Sequence, residues 1–208
     1  MAKNITSQTL QRLPLYLSYL MSLEKSGNIS ATAIAEALGL NDVQVRKDLA
    51  SVSRGGRPRT GYVTFELISD IGRFLGFQNH DGVVVAGMGN FGKSMLGFDG
   101  FSEYGFDVVC GFDCNESIVG EKINSKPILH ISELKNFCRE RNIKIGIITV
   151  PENSAQEVCD MMTDSGIVYI LNFASVHLNV PRGVRVHNEN IPISLAMLAR
   201  RSFFENDT

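Results

Sequence analysis

The chain has almost no net charge. Twenty lysines and arginines stand against 22 aspartates and glutamates in 208 residues, a formal balance of −2 at pH 7. Taken whole, that balance argues against a nucleic-acid-binding protein. The chain has only four cysteines, Cys110, Cys114, Cys138 and Cys159, and no C-x-x-C pair. They are therefore expected as free, buried thiols, and no metal site is expected. Nor does any run approach the ~20 apolar residues that span a bilayer. Met1 to Leu10 is polar and lacks the apolar stretch of a signal peptide, so a cytoplasmic protein with no membrane partner is expected. The histidines form no acid-base constellation: His177 and His187 follow late strands, and His130 precedes a helix.

What is present is unevenly distributed. The length suits two domains, and residues 1–79 hold nine basic against six acidic residues while the remainder holds eleven against sixteen. The front is the basic part. Leu10, Leu13, Leu17, Leu20 and Met21, with Tyr16, recur at helical spacing, with Pro14 expected at a first turn or a kink. Ser30 caps and Gly39 ends a second helix, and Asn41 or Asp42 caps a third over 43–49. Val45, Leu49 and Val52 then face inward, and Gln44, Arg46, Lys47 and Asp48 outward. Two short helices about a tight turn, the second with long flat donors near its start, make a helix-turn-helix whose side chains meet base edges in a major groove. Ser53 to Tyr62 follows, and its Arg54, Arg57 and Arg59 on a glycine-rich turn resemble the wing of a winged helix, set against phosphates or a narrow minor groove. Five basic residues and one acid lie between Arg46 and Arg59. The front domain, 1–79, is thus expected to bind double-stranded DNA through Asn41, Gln44, Arg46, Lys47, Arg54, Arg57 and Arg59. A packing or dimerisation module is the alternative. Thr64 to Phe77 reads as a fourth helix closed by Gly76, and Phe77 to Gly82 as a short linker.

The rear domain, 80–208, opens with an apolar run, Val83 to Ala86, that empties into Gly87-Met88-Gly89-Asn90-Phe91-Gly92. In G-x-G-x-x-G the first glycine allows the strand-to-helix turn, the second leaves room for a pyrophosphate, and the third lets the following helix pack on the sheet. A second strand, Phe106 to Phe112, ends in Asp113, 26 residues after Gly87. A carboxylate there accepts both hydroxyls of an adenine ribose and repels a 2′-phosphate, so NAD+ and NADH are favoured over their phosphorylated forms. A helix at 131–141, a strand at 143–150, a helix at 152–165, strands at 167–171 and 184–187 and a last helix from about 192 to 204 continue the alternation. The fold class is α/β: a winged helix-turn-helix followed by a Rossmann-like, doubly wound parallel sheet. The remaining ligand loops are Thr149-Val150-Pro151 and Asn172-Phe173-Ala174. With no substrate domain left over, the chain reads as a binding protein and not an enzyme. A CoA- or NAD-binding enzyme subunit is the alternative from another class.

These pieces together resemble the redox-sensing transcriptional repressor Rex family. The resemblance is carried by Val45-Arg46-Lys47-Asp48-Leu49, Gly61-Tyr62, Gly87 to Gly92, Phe112-Asp113, Thr149-Val150-Pro151, Leu171-Asn172-Phe173-Ala174 and Val180-Pro181. It implies a homodimer whose C-terminal helices, about 190–205 here, are swapped between subunits. It also implies operator binding that NADH releases and NAD+ permits. Members of the family typically couple their domains through an arginine, a tyrosine and an aspartate; those positions here are Ser18, Phe98 and Asn190, with the apolar Ile191 beside the last. The wing departs too, with Ser53 and Arg59 where glycines are usual and Pro58 stiffening the loop. A buried charge-assisted hydrogen bond contributes about 1.5 to 3 kcal/mol, the size of an allosteric coupling. Its loss leaves two expectations open: a repressor adjusted by the NADH/NAD+ balance, or a paralogue that binds DNA and NAD(H) with little NADH-specific release.

Overall fold

The helix signals at the front of the chain serve as caps. The Thr6 hydroxyl accepts the Thr9 N–H at the start of α1 (Ser7–Ser22), Ser30 accepts from Ala33 before α2 (Ala31–Leu38), and Asn41 accepts from Gln44 before α3 (Asp42–Val52). Each cap satisfies an amide that the first turn leaves without a helical partner. Pro14 lies well inside α1, past its first turn and on the exposed side, so the Leu10 carbonyl forgoes its helical donor toward water. A two-residue ribbon pairs β1 (Asn28–Ile29) with β2 (Tyr62–Val63), and α4 (Thr64–Leu75) ends at Gly76. Leu13, Tyr16, Leu17, Leu20, Ile34, Val45, Leu49, Leu67 and Ile71 form the core of this first unit, residues 1–79. Leu10, read as part of the buried stripe, is instead 45% exposed. The computed structural model describes residues 5–24, 26–77 and 79–204, the side chains of 201–204 excepted. Residues 1–4 of the polar start, Gln78 of the linker and residue 205 at the end of the expected last helix lie outside the described residues.

The second unit, 80–208, is built on a seven-stranded sheet. Its strands are β3 (Asp81–Ala86), β4 (Phe106–Asp113), β5 (Lys122–Ile123), β6 (Lys126–His130), β7 (Ile145–Ile148), β8 (Tyr169–Asn172) and β9 (Arg185–Asn188). They run in the order β5-β6-β4-β3-β7-β8-β9, all parallel except β5. The chain winds outward from β3 through β4 to β6, then returns to β3's other side for β7, β8 and β9. The reversal opens a crevice between the carboxyl ends of β3 and β7, where doubly wound sheets take their ligands.

Alternation along β3 explains why both faces are covered. Val84 and Ala86 join Cys110, Phe112 and Ile148 under α6 (Leu134–Glu140) and α7 (Glu152–Asp164). Val83 and Val85 join Met88, Leu96, Val108 and Ile147 under α5 (Asn90–Gly97). A strand buried on both sides reads as a continuous apolar run, as Val83 to Ala86 does.

The sequence pattern shows no strand between Asp113 and the helix expected at 131. The structure places a β5–β6 hairpin there, turning through Asn124 and Ser125 at φ 48° and 68°. Two left-handed residues make the primed turn that hairpins favour, but Asn-Ser lacks the glycine that would have announced it. The helix expected at 131 begins as a 3-10 turn, Ile131–Glu133, and becomes α6. The last helix, α8 (Ile191–Phe204), exposes Ile191, Ile193, Leu195, Met197 and Leu198.

Candidate nucleotide and nucleic-acid sites

Thr9, Arg12 and Tyr16 are spaced by three and four along α1, which aligns them on one face of the helix. All three reach Asp48 of α3. Arg12 donates from Nε and Nη2 at 2.7 and 3.1 Å, the Tyr16 hydroxyl at 2.8 Å, Thr9 at 3.0 Å and the Gln44 amide at 2.9 Å. Asp48, expected outward, is therefore buried at 2% exposure. Five donors replace the water it leaves. Burial by itself raises the Asp48 pKa, but the bonds from Arg12, Tyr16, Gln44 and Thr9 outweigh it and hold the carboxyl below its ordinary value. The same burial, together with Asp48, pushes the Tyr16 phenol up to about 12. The polar stripe on α1 was the available sequence signal. The apolar stripe beside it already accounts for the helix, so periodicity alone does not single it out.

Gln44 therefore starts α3 with its amide nitrogen committed to Asp48. Arg46 remains exposed, one Nη 3.1 Å from Asp42, and Lys47 is exposed. The wing is a short loop closed by reciprocal bonds between Arg57 and Gly61 at 2.8 and 2.9 Å, with Arg59 at its tip at φ 67°. A side chain on Gly61 would strike the Ile29 carbonyl, so glycine is what lets the wing lie against the β1 segment. Arg46, Arg57 and Arg59 line one groove of about 520 Å³ with Ser30, Thr32 and Tyr62. Arg54 is exposed outside that lining, and the Asn41 side chain is engaged as the α3 cap.

In the second unit, Gly87 sits at φ +97°, where a side chain would meet Val150 and the Thr149 backbone, and one on Gly92 would strike the Gly87 carbonyl. At Gly89 nothing lies within 4 Å of the missing side chain. The first and third glycines are thus packed and the second is open, which is the vacancy a pyrophosphate needs. The turn is held from both sides. Asp113 accepts the Met88 N–H at 2.6 Å, and the Thr149 hydroxyl lies 2.7 and 3.0 Å from the carbonyls of Gly87 and Ala86.

A cleft of about 560 Å³ lies on the Asp113 side, lined by Gly87, Gly89, Asp113, Val150, Pro151 and Glu157 among others. The second Asp113 oxygen accepts the Asn115 N–H at 2.8 Å, so each oxygen keeps lone-pair capacity for a hydroxyl. With Asp113 and Glu157 and, among the described residues, no cation in its lining, this cleft suits a ribose diol and opposes an added phosphate.

A second cleft of about 300 Å³ opens across Thr149, between Phe91, Phe173, Glu189 and Asn190 to Pro192. The Phe91 and Phe173 rings meet edge to face at 4.8 Å. Thr149 is common to both clefts. Asn172 and Ala174, placed by sequence among the ligand loops, line neither. Asn172 is fully buried, and its amide fixes the chain after β8 by donating to the carbonyls of Ala174 and Val176 and to Asn188. The Met88 side chain lies in the core, and Asn90 is exposed at the start of α5.

Among the switch positions, Ser18 is exposed on α1, and Phe98 packs edge to face on Phe101 at 5.4 Å. Asn190 caps α8, its side chain accepting the Ile193 N–H at 2.9 Å. Cys110, Cys138 and Cys159 are buried as expected; Cys114, beside Asp113 at the cleft, is exposed.

Known proteins share both units. Residues 4–50 match a family described as putative DNA-binding protein N-terminus, and residues 78–176 one described as CoA binding domain. A redox-sensing transcriptional repressor Rex from Porphyromonas gingivalis is 38% identical over 199 residues, 95% of this chain and 91% of that protein. The crystal structure of RSP in complex with β-NAD+ and operator DNA superposes with a TM-score of 0.86 at 30% identity, covering 98% of this chain and 95% of that one. RSP in complex with β-NADH gives 0.85 at 28% identity, covering 98% and 97%. Among the described residues, no helix is long and apolar enough to cross a membrane. With that identity over nearly the full length of both chains, the protein belongs to the Rex family of redox-sensing transcriptional repressors.

Proposed function

We propose that the chain is a dimeric repressor that binds duplex DNA through its first unit, binds NAD+ or NADH in its second, and adjusts its hold on DNA to the state of the nucleotide. The observation that carries the reading is the open Gly89 between two packed glycines, joined in one chain to a winged unit with three arginines around one groove. Gly87, Gly89 and Gly92 with the start of α5 hold the pyrophosphate, and Asp113 takes the adenosine ribose. Thr149 to Pro151 form the floor, and Phe91 and Phe173 flank the nicotinamide. On DNA, Arg46 and Lys47 reach the major groove with Asn41 and Gln44 at the start of α3, and Arg54, Arg57 and Arg59 contact the backbone or minor groove. The apolar side chains of α8 are covered by a second copy of the chain.

The acidic lining at Asp113 and Glu157 weighs against CoA, which carries an additional phosphate on its ribose. Among the described residues, neither cleft has a histidine or a lysine in its lining to serve as a proton donor to substrate. This supports a sensor over an enzyme, working in the cytoplasm where its DNA and nucleotides are. A narrowed NADH response, the second reading, is favoured by two observations. Phe98 offers an aromatic edge where a hydroxyl would be needed, and the Asn190 side chain is spent on capping α8.

The test is fluorescence anisotropy of a labelled operator duplex with NAD+ and with NADH at several salt concentrations. Affinity is expected to fall steeply with salt, each phosphate contact adding about −0.9 to the logarithmic slope. Arg46→Ala should weaken specific binding at least ten-fold. Equal affinity for operator and random duplex at moderate salt would overturn the proposal.

A further inference from the structure

The second cleft, beyond Thr149, has an electrostatic character that the dinucleotide reading alone does not require. Two phenyl rings wall it, and the ionisable side chain in its lining is a carboxylate, Glu189, at the end of β9. A carboxylate attracts a cation and does nothing comparable for a neutral ring. The potential that would oppose it is the start of α8, which presents fewer free amides than an uncapped helix. Asn190 takes the Ile193 amide, Pro192 has none to offer, and the Asn190 carbonyl accepts the Ser194 N–H at 3.0 Å. His187 touches Glu189 at 3.0 Å, but its own side chain is 74% exposed, so that contact is open to solvent and screened.

The two forms of NAD differ in this respect. The oxidised nicotinamide ring carries a positive charge and the reduced ring is neutral. We infer that Glu189 is a specificity-determining residue that biases this pocket toward the oxidised dinucleotide, so that more NADH relative to NAD+ is needed to fill the site with the reduced form. The inference rests on the proposal that the clefts bind NAD(H) with the nicotinamide on the β7–β8 side, the side opposite Asp113. It supplies a physical cause for a narrowed redox response that is independent of the substitutions at Ser18 and Phe98. Glu189 is 41% exposed, so its field is partly screened and the bias is a matter of several-fold in affinity.

The experiment measures the dissociation constants of NAD+ and of NADH separately, by calorimetry on the full-length protein, for the wild type, Glu189→Gln and Glu189→Lys. Taking the ratio of the two constants cancels any general weakening of the pocket. The ratio Kd(NAD+)/Kd(NADH) is expected to rise about three- to ten-fold in Glu189→Gln, by loss of one partly screened charge, and further in Glu189→Lys. A ratio that stays within two-fold of wild type in both variants, while both nucleotides still bind, overturns the inference and leaves the NAD(H) reading standing. Wild-type protein that binds neither nucleotide overturns both.

Discussion

Replacing Asp48 by asparagine tests whether one carboxylate fastens α3 to α1. Asparagine keeps the shape but supplies one acceptor oxygen and one amide. In the native protein Oδ1 accepts from Thr9, Gln44 and Arg12 Nη2, and Oδ2 from Arg12 Nε and the Tyr16 hydroxyl. The amide therefore takes the Oδ2 side, where fewer donors oppose it. Tyr16 can turn its hydroxyl and accept, but Arg12 Nε has only a proton to offer. One charge-assisted bond is lost outright, about 1.5 to 3 kcal/mol. Because the Arg12 side chain is 22% exposed and recovers some water, the expected loss lies in the lower part of that range, about 1.5 to 2 kcal/mol. Asp48→Ala, which strands every donor, should cost about 3 to 5 kcal/mol. Urea unfolding gives the total, and hydrogen exchange of the α1 and α3 amides localises it. The pH dependence gives a second readout. A carboxyl whose folded pKa is depressed contributes stability that is present above its unfolded value near pH 4 and is lost as pH falls through the lower folded value. Tyr16, raised to about 12, contributes stability that is complete below about pH 10 and is lost as pH climbs toward 12. The wild type should thus lose this contribution at both extremes, and Asp48→Asn should lack the acid limb. A loss below about 1 kcal/mol with unchanged amide protection would refute the reasoning.

The glycine turn yields a pair of opposed outcomes. Gly92→Ala should lower the melting temperature, because its methyl group meets the Gly87 carbonyl, whereas Gly89→Ala should fold normally and lose NADH binding, since its methyl group occupies the open site; a melting temperature lowered equally in both would contradict this. The thiols form a third case. Burial pushes Cys110 up to about 12 and Cys138 and Cys159 up to about 11, so iodoacetamide at neutral pH should modify Cys114 alone, as read by peptide mass spectrometry. Labelling of any of the other three in native protein would mean that the core opens on the timescale of the reaction.

The parts of this molecule that sequence reveals well are those whose cause is local. Caps at Ser30 and Asn41, the fingerprint at Gly87 and the apolar run of β3 each depend on residues within a few positions of one another. The burial of Asp48 is not legible locally, because it is caused by Thr9, Arg12 and Tyr16, more than thirty positions away and on another helix. By position Asn172 reads as a ligand residue, because it ends a parallel strand, where ligand loops begin. Its actual partners, Val176 and Asn188, lie on the chain that follows, and no spacing rule connects them. Glu189 carries no motif at all. Its place in the cleft follows from β9 being laid beside β8 in register, with Asn172 opposite Asn188.

The edges of the seven-stranded sheet bear on how copies of the chain avoid aggregating. An open row of backbone donors and acceptors invites another chain to add a strand. One edge here ends in β5, only two residues long and running against its neighbour β6. The other ends in β9, where Arg185 and His187 are exposed. Neither edge makes a good template for open-ended sheet growth. On the dimeric reading proposed above, the exposed apolar side chains of α8 are what a second copy covers, which directs association toward a counted assembly and away from a fibre.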